Sequence, residues 1–438
     1  MVSQQPASKI TLGAKPELNP QAKPQLWVLN VVALIGTMAI MSFVAVVGPV
    51  VRLLGLADWH AGLALTAGGV LWMLSARRWG TLSDRVGRKR VLLISLGAYA
   101  VTYLVLAIAV DFALTSPPII AVSLAILVGT RALVGLFYAA VPTITAASVA
   151  DQVAPGQRAS AMAKLGTANA VGLVAGPMVA GWIAMYDIAL ALYAATLMPV
   201  LAIVLIAWKL PETKPAAKPE FKSELKSEAI LDANKPAAIK QSVDFFDPRL
   251  RLPLAAVFVA MVAVAVTQST VGFLVIDRLA LSLSDGAKTA GYALTALGGG
   301  LIFSQSLMMR IHWSPTRWLL IGSFLASAGF CSVALLNSAW PMLSAFVLAG
   351  MGMGMVRPAV QALTADCVEA DEQGAAAGTV ASMQGFSMIV GPLAGTLLYR
   401  VSPGAPYLLV VVLLLLLAVA VWRYHAREVI NRRTGVIS

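Results

Sequence analysis

Residues Trp79–Arg90 read WGTLSDRVGRKR. One carboxylate, Asp84, stands there among Arg85, Arg88, Lys89 and Arg90, with Gly80 and Gly87 on either side. A carboxylate so placed can meet a helix N-terminus or an arginine, and the glycines permit a tight turn and close helix approach. Two further charges, Arg131 and Arg357, fall inside apolar runs. Such charges are costly in lipid and mark functional positions by default. Arg131 lies about 12 residues into its run, or ~18 Å at 1.5 Å per residue. Arg357 precedes Pro358; lining a cavity and bonding carbonyls freed by the proline both remain open for it. Asp277, beside Arg278, is the acid nearest an apolar stretch. Partly desolvated, it can titrate as a proton-coupling group, and an interfacial ion pair is the plain alternative.

Nothing else in the chain assembles a reactive centre. His60, His312 and His425 are far apart, and Cys331 and Cys367 fit neither a metal spacing nor a disulfide framework. No nucleophile–base cluster and no phosphate-binding loop occurs, which argues against an enzyme and an ATP-driven pump. Neither cofactor nor metal is expected.

The elements that position these charges follow from composition. The 438 residues are 59% hydrophobic and 12% charged, with mean hydropathy +0.82. Soluble domains carry about 25% charged residues, so lipid must cover most of this surface. The net charge of +12 does not indicate nucleic acid, because the basic residues cluster at run ends and in one linker.

Apolar runs of spanning length fall near 26–50, 60–78, 91–112, 119–148, 159–185 and 188–208, then 252–276, 289–309, 317–337, 340–364, 375–399 and 404–424. Their length and uniformity predict helices, not barrel strands. The expected organisation is a polar tail 1–25, a six-helix half 26–208, a linker 209–251, a second half 252–424 and a tail 425–438. The tail reads as no cleavable signal peptide. The linker mixes Lys, Glu, Pro and Ala, with room for a short amphipathic helix near Glu220–Leu231. Lys9, Lys15, Lys23, the 77–90 link, Arg158, the linker, Arg310, Arg317 and the tail from Arg423 share one side. Only Arg52, Arg278, Lys288 and Arg400 share the other. The positive-inside rule then places both termini in the cytoplasm.

The halves repeat. Pro142, Asp151, Asn169 and Gly176-Pro177 correspond to Pro358, Asp366, Gln384 and Gly391-Pro392, and Asp151–Gly176 has the same spacing as Asp366–Gly391. Two parallel halves point to alternating access with a site between them.

These residues carry a family resemblance. Gly80-x-Leu82-x-Asp84-Arg85-x-Gly87-Arg88-Lys89 closely resembles the signature between helices 2 and 3 of the major facilitator superfamily. Arg131-x-x-x-Gly135 resembles its conserved-arginine motif, with Val134 where glutamine is usual. Gly172-x-x-x-Gly176-Pro177-x-x-Ala180-Gly181 resembles the antiporter motif of drug–proton exporters, with Ala180 replacing one glycine. The resemblance covers about 26–424. It implies an all-α membrane fold of twelve helices in two pseudo-symmetric halves, in a bacterial inner membrane. It also implies that the Asp84 link latches the outward-facing state against helix 11, that Arg131 relays protonation or meets an anion, and that the Gly172–Gly181 face seals against proton leak. One departure stands out: the first helix lacks the acid that many such antiporters carry there.

In that fold helices 1, 4, 7 and 10 line the cavity. Here they offer Asn30, Thr37 and Ser42; Phe137 and Tyr138; Thr267, Gln268 and Ser269; and Met351, Met353 and Met355. The methionines give a deformable wall for apolar or aromatic ligands, or simple packing beside the glycines. The expected function is proton-driven efflux of amphiphilic or aromatic organic compounds, quinolone-like drugs among them. A dedicated exporter of a metabolite such as a siderophore and an uptake symporter are the alternatives. The expected partners are the bilayer, a small organic substrate and protons, with a monomeric chain and no nucleic acid.

Overall fold

The computed structural model describes residues 25–116, 119–154, 157–211, 247–311, 313–369 and 372–434. The N-terminal tail before 25, the expected helix near Glu220–Leu231 with most of the linker, and the last four residues lie outside the described residues.

Every regular element described is helical. The first half holds α1 (Leu26–Leu53), α2 (Trp59–Val86), α3 (Arg88–Thr115), α4 (Ile120–Tyr138), α5 (Ala140–Gln152), α6 (Arg158–Ala184) and α7 (Ile188–Lys209). After a 3-10 turn at Pro248–Leu250 come α8 (Arg251–Leu279), α9 (Leu283–Met308), α10 (Pro315–Leu335), α11 (Ala339–Asp366), α12 (Gln373–Tyr399) and α13 (Ala405–Thr434). The starts carry local signals. Ser282 and Ser314 accept from the amides of Asp285 and Arg317, and Pro315 opens α10.

The fourth expected span is two helices on one axis, broken at Ala139. Pro142 has no N–H to return to the carbonyl four residues earlier, so the ladder fails there. At the α2–α3 corner the chain reverses through one residue, Gly87, whose φ of 107° disfavours any side chain. Gly80 is different: a Cβ there would meet Thr143 at 3.4 Å, ordinary contact. Of the two glycines in the charged link, the backbone requires only Gly87.

Among the described residues ten spans are long and apolar enough to cross a membrane, with α4 and α5 taken as one; α2 and α9 fall short. Tertiary packing gives the reason. α2 packs on α12 and α9 on α6, so both lie on the boundary between halves and share less of their surface with lipid. The packing is pseudo-symmetric. α1–α6, α2–α4 and α3–α7 in the first half match α8–α12, α9–α11 and α10–α13 in the second. The sequence repeat is therefore a structural repeat, and one apolar core runs through both halves.

Candidate transport site

The halves meet at one end of the bundle. A Cβ on Gly48 would stand 2.9 Å from the Gly272 carbonyl carbon, one on Gly181 2.7 Å from Ala287 O, and one on Gly291 2.6 Å from Pro177 O. Thr66 donates to Ile389 O at 2.8 Å, and Gly62 leaves its neighbours Pro392 and Thr396 no room for a side chain. All these residues lie toward the end opposite the Arg88–Lys89 link. The boundary is sealed there by backbone contact that only glycine allows.

The antiporter-like face divides its work along α6. Gly172 and Gly176 lie against Leu34, Thr37 and Met38 of α1, whereas Pro177 and Gly181 lie against α9 of the other half. Gly391 and Gly395 on α12 repeat the first contact against α8, with Ala265 and Val266 as neighbours. α6 runs unbroken through Pro177.

An ion cluster closes the sealed end. Arg52 of α1 donates to Asp277 Oδ1 at 2.7 Å and Oδ2 at 2.9 Å, and also to Asp58 at 3.2–3.3 Å. Tyr399 of α12 donates to Asp277 Oδ2 at 2.7 Å, and the Arg52 guanidinium sits 5.4 Å from the Phe273 ring centroid. The sequence neighbour Arg278 turns away to Asn337 and the Ala334 carbonyl. Asp277 thus has a partner that sequence adjacency did not suggest. Asp277 therefore sits in an interfacial ion pair, the plain alternative for it, with Arg52 and not Arg278 as the partner.

At the other end the charged link stays within its own half. Arg88 bonds Asp84 at 3.0 Å and Asp151 of α5 at 2.6 Å, and Lys89 donates to Ala207 O of α7 at 3.2 Å. Asp84 is 62% exposed and reaches no arginine of the other half. Among the described residues no hydrogen bond or ion pair joins Asp84 to α12 in this conformation. Arg85 is exposed as well. A second ionic tie, Arg249 to both Glu372 oxygens at 2.9 Å, joins the entry of α8 to that of α12 inside the second half.

Arg131 lies where its depth predicted and is 4% exposed. Its Nη1 donates to Tyr103 Oη at 3.2 Å, and its guanidinium stands 4.2 Å from the Phe43 ring centroid. Among the described residues no carboxylate pairs with it, and its Nε has no partner. Tyr103 in turn donates to Ala39 O, tying this corner to α1. A buried charge without a carboxylate partner costs stability.

The remaining cavity candidates separate. Tyr138 and Thr37 share a hydrogen bond of 3.0 Å, and Thr37 donates to Asn169 Oδ1 at 2.8 Å. Phe137 packs on Trp79 at 6.2 Å between centroids, Gln268 reaches Met41 Sδ across the boundary at 3.7 Å, and Asn30 keeps a buried Oδ1 without partner. Met353 and Met355 are buried among packed helices, the packing alternative for them. Gly350 and Gly354 press on α9 and Gly352 on α10, pulling the alternate methionines into the core. Met351 stays half-buried. Arg357 lines a cleft with Val257, Met261, Gln361 and Gln384. Sequence reading missed Arg52, Tyr399 and Asn169 as site residues. Only Asn169 carried a signal, its repeat with Gln384.

The model of the Major Facilitator Superfamily matches residues 26–339 and 258–435. The chain belongs to the major facilitator superfamily. Membership makes it a multi-pass membrane transporter and not an enzyme. This facilitator is similar to the class G tetracycline resistance protein of Vibrio anguillarum, 29% identical over 353 residues, covering 79% of this chain and 82% of that protein. It is also similar to the class B tetracycline resistance protein of Escherichia coli, 24% identical over 347 residues, covering 78% and 80%. Among solved structures, the facilitator shares its fold with a bacterial homologue of the human lysosomal transporter Spinster in an inward-facing, unoccupied conformation. The TM-score is 0.68 at 14% identity, with 91% of this chain and 97% of that one covered.

Proposed function

We propose that this facilitator exports amphiphilic, aromatic drugs, tetracycline-like compounds first, across a bacterial inner membrane by alternating access driven by proton antiport. The similarity to tetracycline resistance proteins along more than three quarters of both chains carries this reading. The boundary geometry supports it: the glycine contacts that seal the halves lie toward the end opposite the basic link, as they would in a state open on the basic side. With both termini cytoplasmic, that side faces the cytoplasm, where an exporter collects its cargo. Asp84, Gly87, Arg88 and Lys89 then form the latch that engages when the cavity opens outward. Arg52, Asp277 and Tyr399 form the opposing latch of the present state. The quinolone-like and siderophore-like substrates are weaker readings, since no relative reported above is named for either.

The test is tetracycline accumulation in a bacterial host stripped of its own efflux pumps. Expression should lower accumulation, and a protonophore should restore it. Equal accumulation with and without the protein would defeat the reading. Export that persists when the proton gradient collapses would defeat the coupling alone.

A further inference from the structure

The two halves differ where their repeat makes them comparable. Asn169 and Gln384 stand at the same offset from Asp151 and Asp366, on the equivalent helices α6 and α12. In the first half the amide is spoken for: Asn169 accepts from Thr37 at 2.8 Å and donates to Leu165 O at 3.2 Å, while Thr37 also holds Tyr138. In the second half no hydrogen bond or ion pair engages Gln384, Gln361 or Arg357 among the described residues. Val141 precedes the repeated proline in the first half, and Arg357 takes that place in the second.

These three free polar groups line one cleft, walled by Val257, Met261 and Val380 on α8 and α12. Arg357 lies nine residues from the Asp366 end of α11, roughly 14 Å deep at 1.5 Å per residue. Pro358 does free a carbonyl one turn back, yet Arg357 bonds none. Among the carboxylates whose side chains are described, none stands more than four residues inside a helix end and none pairs with Arg131 or Arg357. A planar guanidinium with five donors, set beside two amides and apolar walls, fits an oxygen anion on an aromatic body.

We propose that Arg357, Gln361 and Gln384 form an anion-binding subsite in the second half, which holds a carboxylate, sulfonate or ionised enol of an amphiphilic substrate. The proposal rests on the efflux reading for the existence of a transported amphiphile and adds to it a preference for anionic over neutral cargo.

The test uses the full chain in lipid nanodiscs and a matched pair of fluorophores, dansylglycine and its neutral methyl ester. Wild type should bind the anion about tenfold more tightly than the ester, the scale of one charge-assisted hydrogen-bond pair. Arg357→Gln should erase that preference with ester binding unchanged, and Gln384→Leu should reduce it. If Arg357→Gln loses both probes, Arg357→Lys decides, because a retained charge should restore a part of the preference. Wild type with no preference for the anion, Arg357→Gln with the full wild-type preference, or Arg357→Lys with none would each overturn the subsite. Anion binding without tetracycline export in cells would leave the subsite standing and defeat the efflux reading instead.

Discussion

Arg52 and Asp277, 225 residues apart, meet through two hydrogen bonds of 2.7 and 2.9 Å that join the first half to the second at the closed end of the bundle. Breaking them should open that end. Asp277→Asn removes the charge and weakens the Arg52 attraction; at partial exposure this is worth about 1–2 kcal/mol, or roughly tenfold in the open-to-closed ratio. Spin labels at Ala57 and Val401 should report a longer distance in the variant. The doubly reversed Arg52→Asp, Asp277→Arg should restore the short one. An unchanged distance distribution in Asp277→Asn would remove the pair from the gating account.

Arg131 should prove costly to stability and necessary to transport. Its Nε is buried without a partner, and even a buried ion pair replaced by apolar side chains of similar volume is often neutral or stabilising by about 1–4 kcal/mol. Arg131→Met should therefore melt at or above the wild-type temperature while tetracycline transport in proteoliposomes falls at least tenfold, a scale of about 1.4 kcal/mol. A variant that melts lower and transports normally would mark Arg131 as structural.

Asp84 touches only Arg88 here and faces solvent. Asp84→Asn should leave the melting temperature of the present conformation nearly unchanged, within about 0.5 kcal/mol. Under the latch reading it should slow transport by destabilising the outward-open form. Wild-type transport rates in reconstituted vesicles would leave the link a purely topological role.

Acid should loosen the α8–α12 entry. Hydrogen bonding from Arg249 holds the Glu372 and Asp247 carboxyls below their usual range. Their contribution is complete above the unfolded carboxyl value, about 4, and is lost as pH falls through the lowered folded values. The melting temperature of purified protein should show this component level from pH 7 to about 5 and falling below about 4. Glu372→Gln should flatten that acid limb, and an unaltered limb would count against the tie.

Much of this protein is written locally. Twelve apolar runs, a proline in the fourth, the asymmetric Lys and Arg and the 25-residue landmark repeat are properties of neighbouring residues or of fixed spacing. Each imposes its consequence, whatever the rest of the chain does, because lipid forces a backbone to satisfy itself within a helix. Arg131 could be placed at depth by counting alone. The break at Ala139 was also legible, since Pro142 removes its donor in any fold, but it went unread.

What the tertiary structure decided is which distant residues meet and in which conformation. Adjacency paired Asp277 with Arg278, yet the helical turn sends those side chains to different neighbours, and Arg52 arrives from the other half. Met353 and Met355 resemble Met351 in the sequence, and only the glycine contacts on α9 and α10 bury two of the three. Asp84 pairs with Arg88 inside its own half here, and under the latch reading its partner changes with the state, which no sequence signal fixes. Hydropathy and periodicity act within a helix, whereas ion pairs and close glycine contacts form between helices; the first are set by the sequence itself, the second by how the two halves lean.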